Sequence, residues 1–213
     1  MPDAILKPYK TVLRASDSEF TEKKSRFIGR CFPVKTEEEA QGKLAEVRKA
    51  HYDATHNCWA YALSTGAQRF SDDGEPGGTA GMPIMDTLIR REIKDALIVV
   101  TRYFGGILLG SGGLVRAYSK AASDALSGAG LGLMAPCSRI EFSVDYPRYG
   151  GIEGFVKANA MIDGLEFLEN VRFRVTVTDE KAEEFMAELI ERTDGRAQPQ
   201  VTEHSFLAVP IAE

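Results

Sequence analysis

Ala96-Leu-Ile-Val-Val-Thr-Arg-Tyr-Phe-Gly-Gly106, continued by Ile107-Leu-Leu-Gly-Ser-Gly-Gly113, is the stretch on which the reading of this chain turns. Ala96 to Thr101 is a nearly continuous apolar run, the pattern of a strand covered on both sides. Arg102 follows that strand, Gly105-Gly106 frees the backbone, and Gly110-Ser-Gly-Gly113 leads into a helical pattern from Leu114 to Ser127 that Gly128 and Gly130 end. Just upstream, Ser71-Asp-Asp-Gly-Glu-Pro-Gly-Gly-Thr-Ala-Gly-Met-Pro83 forms an acidic Gly/Pro-rich loop. Pro83 suits the first turn of the helix that follows, and Met85, Leu88 and Ile89 supply its buried face.

Working outward, Lys10 to Ala15 and Arg26 to Val34 read as short strands. Thr36-Glu-Glu-Glu39 is a capping box, in which the Thr36 hydroxyl accepts an early amide bond while Glu39 reaches back. Ala40, Leu44 and Val47 then recur at helical spacing through Lys49. Asn57 to Leu63 and Gln68 to Ser71 read as two strands around the Thr65-Gly66 turn.

Composition changes around Met134 to Ser138, which predicts a boundary between a domain at 1–135 and a domain at 136–213. In the second, Ile140, Phe142, Val144 and Tyr146 alternate, Ile152 to Ala158 is helical and Gly164 to Leu168 is extended. Val171, Phe173, Val175 and Val177 alternate again, Ala182, Phe185 and Leu189 mark a helix stopped at Gly195, and Leu207, Val209 and Ile211 close a last strand. The order βαββαβ is the split-βαβ, ferredoxin-like arrangement.

The 213 residues fit two compact units, and 44% hydrophobic content supplies a core. No run of about 18 apolar residues exists, and Asp3, Lys7, Lys10, Arg14 and Asp17 interrupt any signal-peptide core, so the expected location is the cytoplasm and no membrane partner is assigned. Cys31, Cys58 and Cys137 are sparse and lack a C-x-x-C spacing, which argues against disulfides or structural zinc and for burial as small hydrophobes. Residues 1–135 hold 18 Lys and Arg against 16 Asp and Glu, whereas 136–213 hold 8 against 15. The first half is therefore the better candidate for meeting nucleic acid.

Amides at a helix N-terminus make an anion site, and Arg116 and Lys120, four apart, share one face close to that terminus. With Arg102, Gly105, Gly106, Gly112 and Gly113 they can hold a phosphate, while Tyr103 and Phe104 can stack on bases. The segment has neither the ending of a P-loop nor G-x-G-x-x-G, and the glycines equally suit close helix–sheet packing. Asp72, Asp73 and Glu75 can hold Mg²⁺ through oxygens, or can form a turn with Gly74 at positive φ. His56 beside Cys58 invites a nucleophilic reading, but i and i+2 on a strand share a face without guaranteeing a proton-transfer bond. Whether Arg102 faces outward or is consumed by Asp73 or Glu75 stays open at this level.

At these residues the sequence resembles the YigZ/IMPACT family. The resemblance runs through Ser25-Arg-Phe-Ile28, His56-Asn57, Trp59-Ala60 and Asp72-Asp-Gly-Glu75, then Gly81, Ile84-Met85, Leu88, Ile93, Val99-Val100, Arg102-Tyr-Phe-Gly-Gly106 and Leu109-Gly110. It implies a two-domain α+β protein, with a first β-α-β domain similar to domain IV of elongation factor G and certain ribosomal proteins, and a ferredoxin-like second domain. It also implies a role in translation. Eukaryotic members are non-enzymatic regulators that compete for a protein partner of a stress-responsive kinase, with a further partner-binding domain that this sequence does not contain.

The leading expectation is thus a binding protein that regulates translation and contacts RNA or the ribosome, with no catalytic residue, metal or cofactor assigned. A metal-assisted hydrolase or phosphotransfer enzyme using Asp72, Asp73, Glu75 and His56 is the alternative. A protein-interaction module, presenting an apolar patch around Trp59, Tyr103 and Phe104 to a protein partner, is the third.

Overall fold

A computed structural model describes residues 7–211. Asp3 and the outermost residues of both expected domains, 1–6 and 212–213, lie outside the described residues. The chain divides into two compact units, Tyr9–Leu133 and Met134–Val209, with Pro8 grouped with the second and Pro210 with the first.

The first unit contains β1 (Tyr9–Val12), β2 (Ser16–Glu22), β3 (Ser25–Pro33), α1 (Glu37–Ala50), β4 (His56–Ala62), β5 (Gln68–Ser71), α2 (Gly81–Arg90), β6 (Ala96–Tyr103) and α3 (Ser111–Ala129). Its main sheet has the order β2-β3-β6-β4-β5, with every pairing antiparallel. Central β6 is buried on both faces, as its apolar run requires. On one side Ile98 and Val100 meet Phe27, Cys31, Cys58 and the residues of α2 and α3; on the other Leu97 and Val99 join Tyr61, Val34 and the Ala40, Leu44 and Val47 stripe of α1. The result is three layers, with α1 opposite α2 and α3. The Thr36 cap forms as expected: Thr36 Oγ1 accepts from Glu39 N at 3.2 Å, and Glu39 Oε2 accepts from Lys35 N at 2.7 Å. At Gly29 an added Cβ would fall on the Ala121 carbonyl, so α3 lies directly on β3.

The second unit is built from β7 (Leu131–Val144, which starts in the first unit), α4 (Tyr146–Asn159), β8 (Met161–Phe167), β9 (Val171–Thr178), α5 (Asp179–Arg192) and β10 (Gln200–Pro210). β9 lies between β7 and β8, antiparallel to both, and β10 lies alongside β7. The order βαββαβ is the ferredoxin-like one. Ile140, Phe142, Val144, Phe173 and Val175 of the sheet pack with Ile152, Phe155, Phe185 and Leu189 of the helices, leaving the alternate positions Arg172 and Arg174 exposed.

Several bounds differ from the sequence expectation. β2 does not read as a strand in the sequence, because Ser16–Glu22 is polar with Phe20 as its single large apolar side chain. α3 begins at Ser111 rather than Leu114, taking Gly112 and Gly113 into its first turn. α4 begins at Tyr146, whereas the alternation places Tyr146 in a strand: Asp145 caps the helix through Arg148 N, and Pro147 fits its opening.

Candidate functional site

Strand alternation sorts the candidate residues. Arg102 shares a face with Ile98 and Val100 and is paired across the ladder with His56, so both turn toward the α2–α3 layer. Tyr103 turns to the α1 side, where its hydroxyl bonds His51 Nδ1 at 2.8 Å and Asp53 Oδ1 at 3.1 Å. Tyr103 and Phe104 therefore do not form one stacking surface.

Arg102 is 5% exposed. Its Nη1 donates to Glu75 Oε1 at 2.7 Å and its Nη2 to Ser25 Oγ at 3.2 Å. The same Glu75 oxygen accepts from the buried Tyr118 hydroxyl at 2.6 Å and lies 3.8 Å from His56 Nε2. The expected phosphate contact through Arg102 is corrected accordingly: its charge is spent on Glu75, and its burial keeps it from solvent.

The acidic loop works as three separate fasteners. Asp72 accepts from Gly78 N at 2.9 Å, Ala80 N at 3.0 Å and Gly81 N at 2.8 Å, capping α2, whose own N-cap residue Ala80 supplies no side-chain bond. Burial opposes the ionisation of Asp72, but these three amide bonds outweigh it and hold the carboxyl below its ordinary range. Asp73 accepts from Asn57 N at 2.7 Å and Arg48 Nη2 at 2.8 Å, while its carbonyl meets His56 Nδ1 at 2.8 Å. Gly74 takes φ +88 and Asp73 φ +43, which tightens the turn. Among the described residues no three His, Cys, Asp or Glu side chains are grouped to hold a metal ion. His56 lies between the Asp73 carbonyl and Glu75, while the Asp72, Asp73 and Glu75 carboxylates are each engaged in hydrogen bonds that hold the loop. His56 and Cys58 do not bond each other. The Cys58 thiol donates to Asp72 O at 3.0 Å, and burial foremost, reinforced by negative charge at Glu75, Asp73 and Asp72, pushes its pKa up to about 12.

The solvent-facing part of the site is the loop after β6 together with its neighbours. Phe104 is 45% and Leu108 81% exposed, and Ile107 is also exposed. Trp59, expected in the same patch, instead packs against the α1-side core and stacks on Tyr61 at 5.6 Å. Gly105 is obligatory, because a Cβ there would fall on the Lys24 carbonyl; Gly106 takes φ +83 and Gly110 φ +74. Arg116 and Lys120 lie on one exposed face of α3 and line a depression with Phe20, Glu22, Lys23 and Leu109, three cations against one carboxylate. Lys120 pairs with Asp124 and sits 4.7 Å over the Phe20 ring. Arg116, Lys23 and Lys24 have no ion-pair partner among the described residues. Lys23 and Lys24 form the two-residue turn between β2 and β3, a position invisible in the sequence because β2 itself does not read as a strand.

An antiparallel three-layer unit carrying a stapled acidic loop and a basic, glycine-rich rim, joined in sequence to a ferredoxin-like unit, defines a two-domain α+β class. Comparison with known proteins agrees. Residues 23–126 match the Impact N-terminal domain, and residues 142–196 match a domain of unknown function. The chain is 38% identical to the IMPACT family member YvyE of Bacillus subtilis over 95% of each chain, and 35% identical to the IMPACT family member YigZ of Escherichia coli over 83% of this chain and 89% of that one. It belongs to the IMPACT family. A Dictyostelium discoideum protein named as an IMPACT homolog is 45% identical over 42% of this chain, which is 27% of its own length. A solved structure described as that of a hypothetical protein aligns with TM-score 0.59 and 32% identity over 92% of this chain and 98% of that one. No helix among the described residues is long and apolar enough to cross a membrane.

Proposed function

We propose that this chain is a translation-associated binding protein that contacts RNA, free or in the ribosome, through the rim formed by Lys23, Lys24, Arg116 and Lys120 around the Gly105–Gly113 loop. The observation that carries the reading is that Lys23, Lys24 and Arg116 are exposed and without ion-pair partners among the described residues, beside a loop leading into the first turn of α3. Phosphate oxygens are the natural complement of such unpartnered cations and of the free amides of that turn. Family membership supports the translation role, since the resemblance of the sequence implies it for IMPACT proteins. The site differs from the sequence expectation in its residues: Arg102 acts as a buried anchor and the hairpin lysines replace it.

Co-sedimentation with ribosomes and with total RNA across a salt series tests the reading. Each lost phosphate contact lowers the slope of log affinity against log salt by about 0.7–0.9, so Lys23→Gln/Lys24→Gln/Arg116→Gln should reduce it by about 2–3. Absence of wild-type binding at low salt, or a variant with unchanged slope, would overturn it.

A further inference from the structure

Resting on that reading, we propose that the RNA gripped here is single-stranded, with one unpaired base stacked on Phe104 and the adjoining phosphates held by Lys24, Lys23 and Arg116. Phe104 is a half-exposed ring on a tethered stretch of backbone. The Arg102 guanidinium lies 5.3 Å from its centroid and is itself locked by Glu75 and Ser25. Backbone bonds hold the flanks: Phe104 N donates to Thr55 Oγ1 at 3.1 Å and Gly105 N to Ser25 Oγ at 3.3 Å. The ring thus has a cation beside it and keeps 45% of the residue exposed to solvent, enough to offer a base a stacking surface.

Lys24 belongs to the same spot. Its carbonyl occupies the position of a Cβ at residue 105, so the hairpin tip touches the backbone immediately after Phe104. The turn itself is costly. Lys23 and Lys24 take φ +44 and +64, the doubly left-handed conformation that Asn-Gly adopts readily and that lysine adopts under strain. Two lysines stand where a more stable pair would serve folding better, and strain retained beside an exposed aromatic points to a use for the ammonium groups. Double-stranded RNA keeps its bases paired and stacked, so Phe104 would have nothing to stack on; an unpaired segment offers a base face and phosphates together.

Fluorescence anisotropy with a labelled mixed-sequence RNA oligonucleotide, alone and annealed to its complement, tests the proposal on the full chain. The wild type should bind the single strand more tightly than the duplex. Phe104→Leu should weaken single-strand binding about tenfold and leave duplex binding unchanged, while Phe104→Trp should retain affinity and show fluorescence quenching on binding. Lys23→Asn/Lys24→Gly should weaken binding to both forms while raising the melting temperature, which separates a ligand role from a folding one. Wild-type affinity in Phe104→Leu, with binding still lost in the lysine variant, would overturn the stacking and leave the phosphate reading standing. No binding of either RNA by the wild type would overturn both.

Discussion

Replacing Glu75 by glutamine is the sharpest test of how the acidic loop is read. The side chain is 3% exposed, and one of its oxygens takes hydrogen bonds from Arg102, whose side chain is 6% exposed, and from the fully buried Tyr118. Glutamine keeps the shape and an acceptor for Tyr118 but removes the charge. Arg102 is then a buried cation whose side-chain hydrogen bonds go only to neutral groups, the amide oxygen of the glutamine and the Ser25 hydroxyl. Breaking a buried pair from one side costs about 3–5 kcal/mol, because the stranded charge has lost its water as well as its partner. Trp59, the sole tryptophan, lies in β4 of the same sheet, so its fluorescence follows this unit during urea unfolding. At an m-value of about 2 kcal/mol per molar, the midpoint should fall by about 2 M. Adding Arg102→Met should restore part of the loss, since the double variant strands no charge. A loss under about 1 kcal/mol for Glu75→Gln, or strictly additive single effects, would refute the staple. Arg102→Ala is for the same reason a poor probe of RNA contact, because it strands Glu75 and loosens the domain.

Three further outcomes follow from the same geometry. Burial pushes the thiols of Cys31 and Cys58 up to about 12 and raises that of Cys137, so a thiol-reactive dye at pH 8 should label none of them quickly in the native protein and all three in denaturant. Asp72 has its folded pKa depressed, so its contribution to stability is present above the ordinary carboxyl range near about 4 and is lost as pH falls through the folded value. Asp72→Asn should accordingly flatten the acid limb of the unfolding midpoint plotted against pH, and an unchanged limb would remove Asp72 as its source. Gly29→Val should lift α3 from β3 and lower stability by about 1–3 kcal/mol in the Trp59 assay, whereas wild-type stability would mean that the helix can slide to make room.

What the sequence carried was the periodic and the locally capped. The Ala96–Thr101 run announced a strand buried on both faces, Thr36 and Glu39 announced a helix start, and the alternation from Ile140 and from Val171 announced two strands of the ferredoxin-like unit. What it hid depended on distant partners. An edge strand such as β2 can be almost wholly polar when one apolar residue suffices for the core, so its turn lysines had no context. Arg102 could not be assigned to Glu75, because that pairing needs the loop folded back on β4 by Asp73 and on α2 by Asp72. Asp145 before Tyr146-Pro147 is a readable helix start, masked because Tyr146 also continues the alternation of β7.

The buried staple and the exposed rim are joined through one side chain. Glu75 fixes the Arg102 guanidinium, and that guanidinium lies 5.3 Å from the centroid of the Phe104 ring, so loss of the charge pair should alter how the ring meets solvent. Glu75→Gln/Arg102→Met separates the two roles. It should recover part of the stability lost in Glu75→Gln while leaving Phe104 without its cationic backing and free to change rotamer. Single-stranded RNA should then bind more weakly than to the wild type, while the salt slope stays the same because the lysines and Arg116 are intact. Wild-type RNA affinity in that folded double variant would show that the staple serves folding alone and that the ring is positioned by Thr55 and Ser25 through the backbone.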